Sequence, residues 1–526
     1  MAQAFVAADT DLSVRNWTVG DLLGHAAQAA GASIAIRQDG LEWSYAALLR
    51  DSRRLARFLL TLFDKGDHVA IWGANSAPWA LFQLAAAQAG LVLVTLNPAL
   101  RGAEVEALLL QSRAVGLIMD SQHRGTDLDA IVAAHRGALP SLRSILGIAQ
   151  WADYLASVPD DDGPLHVAVA PDDIAMILYT SGTTGTPKGV MLHHRGIVNN
   201  ALLGSERYEI GDGLAWLGVL PFFHVGGSVT STLGCIARLG TNIVVPAFEA
   251  GFVLHLMQAE RVAWFPCVPT MAIAMVEHPD FDGTDLSALR LVLTGGTVIT
   301  PDFVRLINDR FHVGVQVMFG QTEAGGAMCK TLRADPIAKI AETVGRPYPQ
   351  TEMRIADVQT GATVDAGIVG EIRLRSPFMT PGYFDNPGAT QTLFDQQGYL
   401  RTGDLGTLDE AGYLRVTGRL KEMIIRGGEN IYPREIEDRL GEFPGIAECA
   451  VVGVAHPRWG EEVAVAIRPS AGASVDMDAA RDFLLARIAR HKVPKMWKLV
   501  PEFPRTPSGK IQKFAVVEWF AHEAVA

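Results

Sequence analysis

Residues Tyr179 to Gly189 read Tyr-Thr-Ser-Gly-Thr-Thr-Gly-Thr-Pro-Lys-Gly. Three glycines, four threonines and one serine in eleven residues make a flexible segment rich in hydrogen-bond donors. Its backbone N–H groups and hydroxyls can wrap phosphate oxygens, and Lys188 adds a point charge. The apolar run Ile-Ala-Met-Ile-Leu lies just before it and reads as a buried strand. The phosphate loop of the common phosphate-transferring ATPases needs Gly-Lys followed by Ser or Thr. Here Pro187 precedes Lys188 and Gly189 follows it, so a different phosphate-binding solution is expected.

Six more segments carry chemical side chains or glycines. They are PFFHVGG (Pro221 to Gly227), TGGT (Thr294 to Thr297) and FGQTE (Phe319 to Glu323). YLRTGD (Tyr399 to Asp404), GRLKEMIIRGGENIYPREIE (Gly418 to Glu437) and PRTPSGKIQK (Pro504 to Lys513) follow. Together with the loop, and in this order, they resemble the motifs of the adenylate-forming superfamily. That family includes acyl-CoA synthetases, the adenylation domains of synthetases and beetle luciferase.

The resemblance implies an AMP-forming ligase that uses ATP, Mg²⁺ and coenzyme A. A carboxylate attacks the α-phosphate of ATP, giving acyl-AMP and pyrophosphate; a thiol then takes the acyl group. Two anions must meet, so charge has to be neutralised where it develops. The resemblance assigns Lys510, Thr184, Glu323 and His224 to catalysis, and Glu323 and Thr184 to Mg²⁺. It places Thr180, Ser181, Gly182, Thr183, Thr184, Gly185 and Lys188 around the phosphates. Gly295, Gly296, Thr297, Phe319, Gly320 and Thr322 would complete the nucleotide site. Asp404 would hold both ribose hydroxyls, as two acceptor oxygens suit a diol, with Arg419 beside it. Lys510 would bridge the α-phosphate and the attacking carboxylate. Lys421 matches a hinge, and Gly427 and Gly428 would line the thiol's channel. Phe319 and Glu422 depart from the usual Tyr and Asp; stacking on adenine survives the first.

The acid pocket is expected around His224, Val225, Gly295, Met318, Gly320 and Gln321. Relatives that use acetate close it with Trp where this chain has Gly320, so Gly there is read as depth. No carboxylate follows His224 to pair an amine, and no Arg occurs between Pro221 and Ser231 to pair a second carboxylate. A medium- or long-chain fatty acid is the expected substrate, with an aryl acid as the rival and a carrier-protein thiol as the alternative acceptor.

These residues need a scaffold. The chain has 526 residues, 49% apolar and 19% charged, enough for more than one globular core. A net charge of −12 would repel a phosphate backbone, so nucleic acid is not an expected partner. Four scattered cysteines, with no CxxC pair, fit a reducing cytoplasm and buried thiols. The N-terminus shows no signal peptide. The stretch Trp79 to Leu96 reads as a buried helix, a glycine cap and a core strand, not a membrane span. A homodimer is left open.

Helical and strand-like segments alternate over the first 400 or so residues, which predicts parallel sheets covered by helices. After Gly370 the segments become short, turn-punctuated strands; GYLRTGDLG and GYLRVTGR read as a hairpin. The fold class expected is α/β with a mixed α+β C-terminal part. The resemblance adds a distorted β-barrel subdomain. The expected division is 1–420 for nucleotide and acid, and 421–526 for a small mobile domain carrying Lys510.

Overall fold

The computed structural model describes residues 2–161, 163–180, 187–296, 299–426, 429–470, 472–505 and 511–520. The chain divides into two compact units. One is Val6–Met353 with Leu374–Arg401; the other is Met1–Phe5, Arg354–Arg373 and Thr402–Ala526.

The larger unit is built on two sheets. The first has six strands, in the order Lys188–His193, Ile174–Thr180, Val92–Leu96, His68–Trp72, Gly116–Met119, Ser144–Gly147. All neighbours are parallel except the first pair, an antiparallel hairpin. The second has nine strands, and Gly314–Gln321, Leu291–Gly295, Trp264–Cys267 and Ala215–Gly218 lie side by side in its parallel centre. Parallel strands need crossovers, and helices supply them, which is the alternation the sequence displays.

The expected elements form. Helix Tyr45–Leu60 starts on the Ser44 cap and strand His68–Trp72 follows. The membrane-like stretch is helix Ala77–Gln88, then Gly90 at φ +69°, then strand Val92–Leu96. Nearly every side chain of that helix is buried, so its apolar character serves the core. Among the described residues no helix is long and apolar enough to cross a membrane. All four cysteines are free thiols.

The smaller unit holds most of a five-stranded sheet, where a distorted barrel was expected, and a second sheet nearer the C-terminus. In the first, Leu400–Leu408 and Leu414–Arg419 pair as the expected antiparallel hairpin. In the second, strands Ile446–His456 and Gly460–Pro469 alternate between two apolar layers. Val451, Val463, Val465 and Ile467 meet Ile436 and Leu440 of helix Pro433–Gly441 on one face. Ala450, Val452, Ala464 and Ala466 meet Val516 and Phe520 on the other. With both faces covered, the strands read as continuous apolar runs.

In the larger unit, Nδ1 of fully buried His194 accepts the Val19 N–H at 3.2 Å. This joins the start of helix Val19–Ala30 to helix His194–Glu206. Burial, opposed in part by Asp173, lowers the His194 pKa to about 4. A folded-state pKa below the unfolded value means that the unfolded chain binds the proton first as pH falls. The native state should therefore lose about 2 kcal/mol between pH 7 and pH 5 through this one group. Unfolding of the native chain and of His194→Asn, compared across that range, should show a shallower pH dependence in the variant.

Candidate active site

The strands that flank the glycine- and threonine-rich segment, Ile174–Thr180 and Lys188–His193, pair antiparallel. Thr180 pairs with Lys188 and Tyr179 with Gly189, so the two strands hold its ends together. Ser181, Gly182, Thr183, Thr184 and Gly185 lie outside the described residues. Thr180 and Lys188 stand at its base. A Cβ at Gly189 would approach Ile177 Cγ2 to 3.0 Å, which explains the residue after Lys188.

A strap crosses this hairpin. Phe384 N–H donates to Gly189 O at 2.7 Å, and Met191 N–H to Gly382 O at 3.1 Å. Thr380 Oγ1 donates to Met191 O at 2.6 Å, and Thr380 N–H to Glu323 O at 2.8 Å. The strap thus ties the hairpin to the short turn Thr322–Ala324. Tyr383, on the strap, donates its hydroxyl to Glu323 Oε1 at 2.9 Å. Lys188 Nζ lies 4.9 Å from the centroid of the same ring. Burial, and then the Glu323 charge, push the Tyr383 hydroxyl up, so it stays protonated and donating. Sequence reasoning missed Tyr383: Pro-Gly-Tyr-Phe carries no charge, and its partners are far away in the chain.

Glu323 follows strand Gly314–Gln321, whose carboxyl end meets that of Leu291–Gly295. Ligands of open α/β sheets gather at such carboxyl ends. Gly295 pairs with Met318, and a Cβ on it would sit 2.3 Å from Met318 O. Gly296 has φ +75°, in the left-handed region where glycine is favoured. Thr297 lies outside the described residues. Met318, Phe319, Gly320, Gln321 and buried Thr322 run on along the same strand into the turn. Gly320 packs against the neighbouring strand. A Cβ there would meet Gly326 O at 2.3 Å and Ala327 Cα at 2.6 Å. The glycine is required because the antiparallel neighbour approaches closely, at a bulge between Phe319 and Gly320.

His224 and Val225 lie on the turn after strand Ala215–Gly218. The turn closes on itself, with His224 N–H donating to Pro221 O at 3.1 Å. A Cβ on Gly227 would lie 2.1 Å from Pro221 O, so the second glycine of this motif is steric. The turn is held from two sides. Buried Asn75 accepts Phe222 N–H at 2.8 Å and donates to Leu220 O at 2.9 Å. Thr95, in the centre of the six-stranded sheet, donates to Phe223 O at 2.8 Å.

In the smaller unit, Asp404 pairs in register with Arg419. Arg419 Nε lies 3.1 Å from Asp404 Oδ1; the carboxylate is buried, the guanidinium half exposed. Lys421 is exposed in the turn Leu420–Glu422. Gly427, Gly428 and Lys510 lie outside the described residues.

No group of three or more metal-ligating side chains occurs among the described residues. One carboxylate is nevertheless the donor set that suits Mg²⁺, which keeps waters and takes phosphate oxygens as further ligands. Glu323 is partly exposed and oriented by Tyr383, so it fits that role.

Comparison with known proteins agrees with this geometry. A sequence model described as AMP-binding enzyme matches residues 23–384, and one described as AMP-binding enzyme C-terminal domain matches 435–510. The putative acyl-CoA synthetase YngI of Bacillus subtilis is 36% identical over 530 residues, covering 95% of this chain and 96% of that protein. The mitochondrial medium-chain acyl-CoA ligase ACSF2 of Mus musculus is 31% identical over 557 residues, covering 98% and 89%. The ATP-bound crystal structure of MatB from Rhodopseudomonas palustris superposes with a TM-score of 0.87 at 28% identity, covering 97% of this chain and all of the other.

Asn75→Ala would leave the Phe222 N–H and the Leu220 carbonyl without their buried partner. The expected cost is about 2 kcal/mol. Chemical denaturation of the variant beside the native chain measures it.

Proposed function

The chain belongs to the AMP-binding enzyme family, and from that premise we propose that it is an AMP-forming ligase joining a medium- or long-chain fatty acid to coenzyme A. Tyr383 carries the proposal. Its one ring holds the phosphate-loop lysine over its face and the Glu323 carboxylate at its hydroxyl. A cation and a carboxylate on one ring support a reading in which a polyphosphate and its metal ion bind beside them.

In the first step a carboxylate oxygen bonds to the α-phosphorus of ATP. The bond from that phosphorus to the β-phosphate bridging oxygen breaks, and pyrophosphate leaves. Lys188 and the loop donors Thr180 to Gly185 bind the phosphates. Glu323, with Thr184, would hold Mg²⁺, which neutralises phosphate charge when bound. Asp404 takes the ribose hydroxyls, with Arg419 beside it. Lys510 bridges the two anions as they meet; a compact, flexible ammonium suits that task. Phe319 and the Gly295–Gly296 turn accommodate adenine.

In the second step the thiol sulfur bonds to the acyl carbon, and AMP leaves with the electrons of the carbon–oxygen bond. Residues 421–526 would swing about Lys421, withdrawing Lys510 and presenting Gly427 and Gly428 to the thiol. His224, braced by Asn75 and Thr95 through its turn, would gate the acid from the thiol. The acid assignment is supported by the likeness to ACSF2, named a medium-chain acyl-CoA ligase, and by the absence of a carboxylate or arginine in Pro221 to Ser231.

Pyrophosphate release measured over octanoate, palmitate, benzoate and cinnamate, with and without coenzyme A, tests the reading. A fatty acid should be turned over fastest, and acyl-CoA should form only with the thiol. Preference for benzoate or cinnamate would move the assignment to aryl acids; acyl transfer only to a holo-carrier protein would move the acceptor. Tyr383→Phe removes one hydrogen bond to a charged group and should slow acyl-AMP formation roughly tenfold or more with the fold intact. Lys510→Ala should lose acyl-AMP formation yet retain thioester formation from supplied octanoyl-AMP; equal loss of both would contradict the two-step assignment.

A further inference from the structure

Lys513 is a partly buried cation. Its Nζ lies 2.8 Å from Glu437 Oε1 and 3.0 Å from Glu422 Oε2. Burial alone would lower its pKa, but Glu437 and Glu422 outweigh that and raise it above the ordinary lysine value. The ammonium is therefore charged at neutral pH.

Its partners lie on different elements. Lys513 opens helix Lys513–Glu518, whose Val516 packs on one face of the C-terminal sheet. Glu437 lies in helix Pro433–Gly441, which packs on the opposite face. Glu437 Oε1 also accepts the N–H of Val451 at 2.7 Å, on the edge strand of that sheet. Glu422 ends the turn Leu420–Glu422 and adjoins Lys421. One ammonium thus ties together both helical layers and the turn that begins the C-terminal part.

Lys513 is three residues after Lys510, so the two Cα atoms lie within about 11 Å of each other. On the other side of Lys510, Arg505 makes a β-bridge with Ile511 and donates to both oxygens of Glu448, at 2.6 and 2.7 Å. Gln512 N–H donates to Pro504 O at 2.8 Å. The two chain ends around Lys510 are therefore fixed, one to Glu448 and one, through Lys513, to the hinge turn.

We infer that Lys513 is a positioning residue for acyl-AMP formation: its ion pairs with Glu422 and Glu437 lock the chain that carries Lys510 to the turn at Lys421. The inference rests on the assignment of Lys510 above. A misplacement of about 1 Å in a bridging group can cost about 100-fold. The effect should fall on the step that uses Lys510 and spare the step from which Lys510 is withdrawn.

The test compares Lys513→Gln, Lys513→Arg, Glu422→Gln and Lys510→Ala in the full chain. It reads kcat and the ATP KM for octanoyl-AMP formation, thioester formation from supplied octanoyl-AMP, and thermal unfolding. Lys513→Gln should lower kcat for acyl-AMP formation by about 100-fold, with the ATP KM and thioester formation each within about threefold. Lys513→Arg should restore most of that rate, and Glu422→Gln should show the same imbalance more weakly. If Lys510→Ala loses acyl-AMP formation but Lys513→Gln keeps it, the positioning role is wrong and the function stands. If Lys510→Ala keeps it, the assignment of Lys510 fails first. Equal loss of both steps in Lys513→Gln, with a lowered unfolding temperature, would reduce Lys513 to a structural residue. If Lys513→Gln does not fold, Glu422→Gln decides by the same imbalance.

Discussion

One ring, that of Tyr383, is in contact with both a cation and a carboxylate. Lys188 sits against its face, where the π-electrons attract a cation, and Glu323 accepts from its hydroxyl. A direct Lys–Glu pair would spend both charges on one another. Under the proposed function, contact through the ring leaves the lysine for phosphate and the carboxylate for a metal ion. In a chain with net charge −12, an anionic ligand depends on such local arrangement and not on the overall field.

That arrangement determines the surrounding backbone. The strap Thr380–Phe384 must hold both the hairpin Lys188–His193 and the turn Thr322–Ala324, and four backbone-anchored hydrogen bonds do so. Gly295 and Gly320 are demanded by the close approach of neighbouring backbone, which leaves no room for a Cβ. The same holds for Gly227 in the His224 turn. Conformational freedom matters less at these three glycines than distance. At Gly296, with its positive φ, freedom is the reason.

In the smaller unit, charge plays a different part. The sheet there is apolar on both faces, and its ionic groups collect at the edges and turns. Glu437, Glu422, Lys513, Glu448 and Arg505 connect segments that apolar packing alone would leave free to shift. Buried ion pairs are weak contributors to net stability, because desolvation offsets their attraction. What they supply is a fixed connection between those segments.

Periodicity and local composition determined the element types, the α/β class and the hairpin at residues 400–419, because these depend on near neighbours in the chain. The motif order determined the family. The sequence also marked Lys188, Glu323 and Asp404 as chemical residues. It did not reveal that Tyr383 joins two of them, since that contact spans 60 residues to Glu323 and no local pattern encodes it. It did not show what a Cβ at Gly320 would strike, since that neighbour arrives only through strand pairing. Nor could it place Asn75 and Thr95 behind the His224 turn, or Lys513 between Glu422 and Glu437. Tertiary structure decided these, because each rests on atoms brought within about 3 Å by the packing of elements distant in sequence.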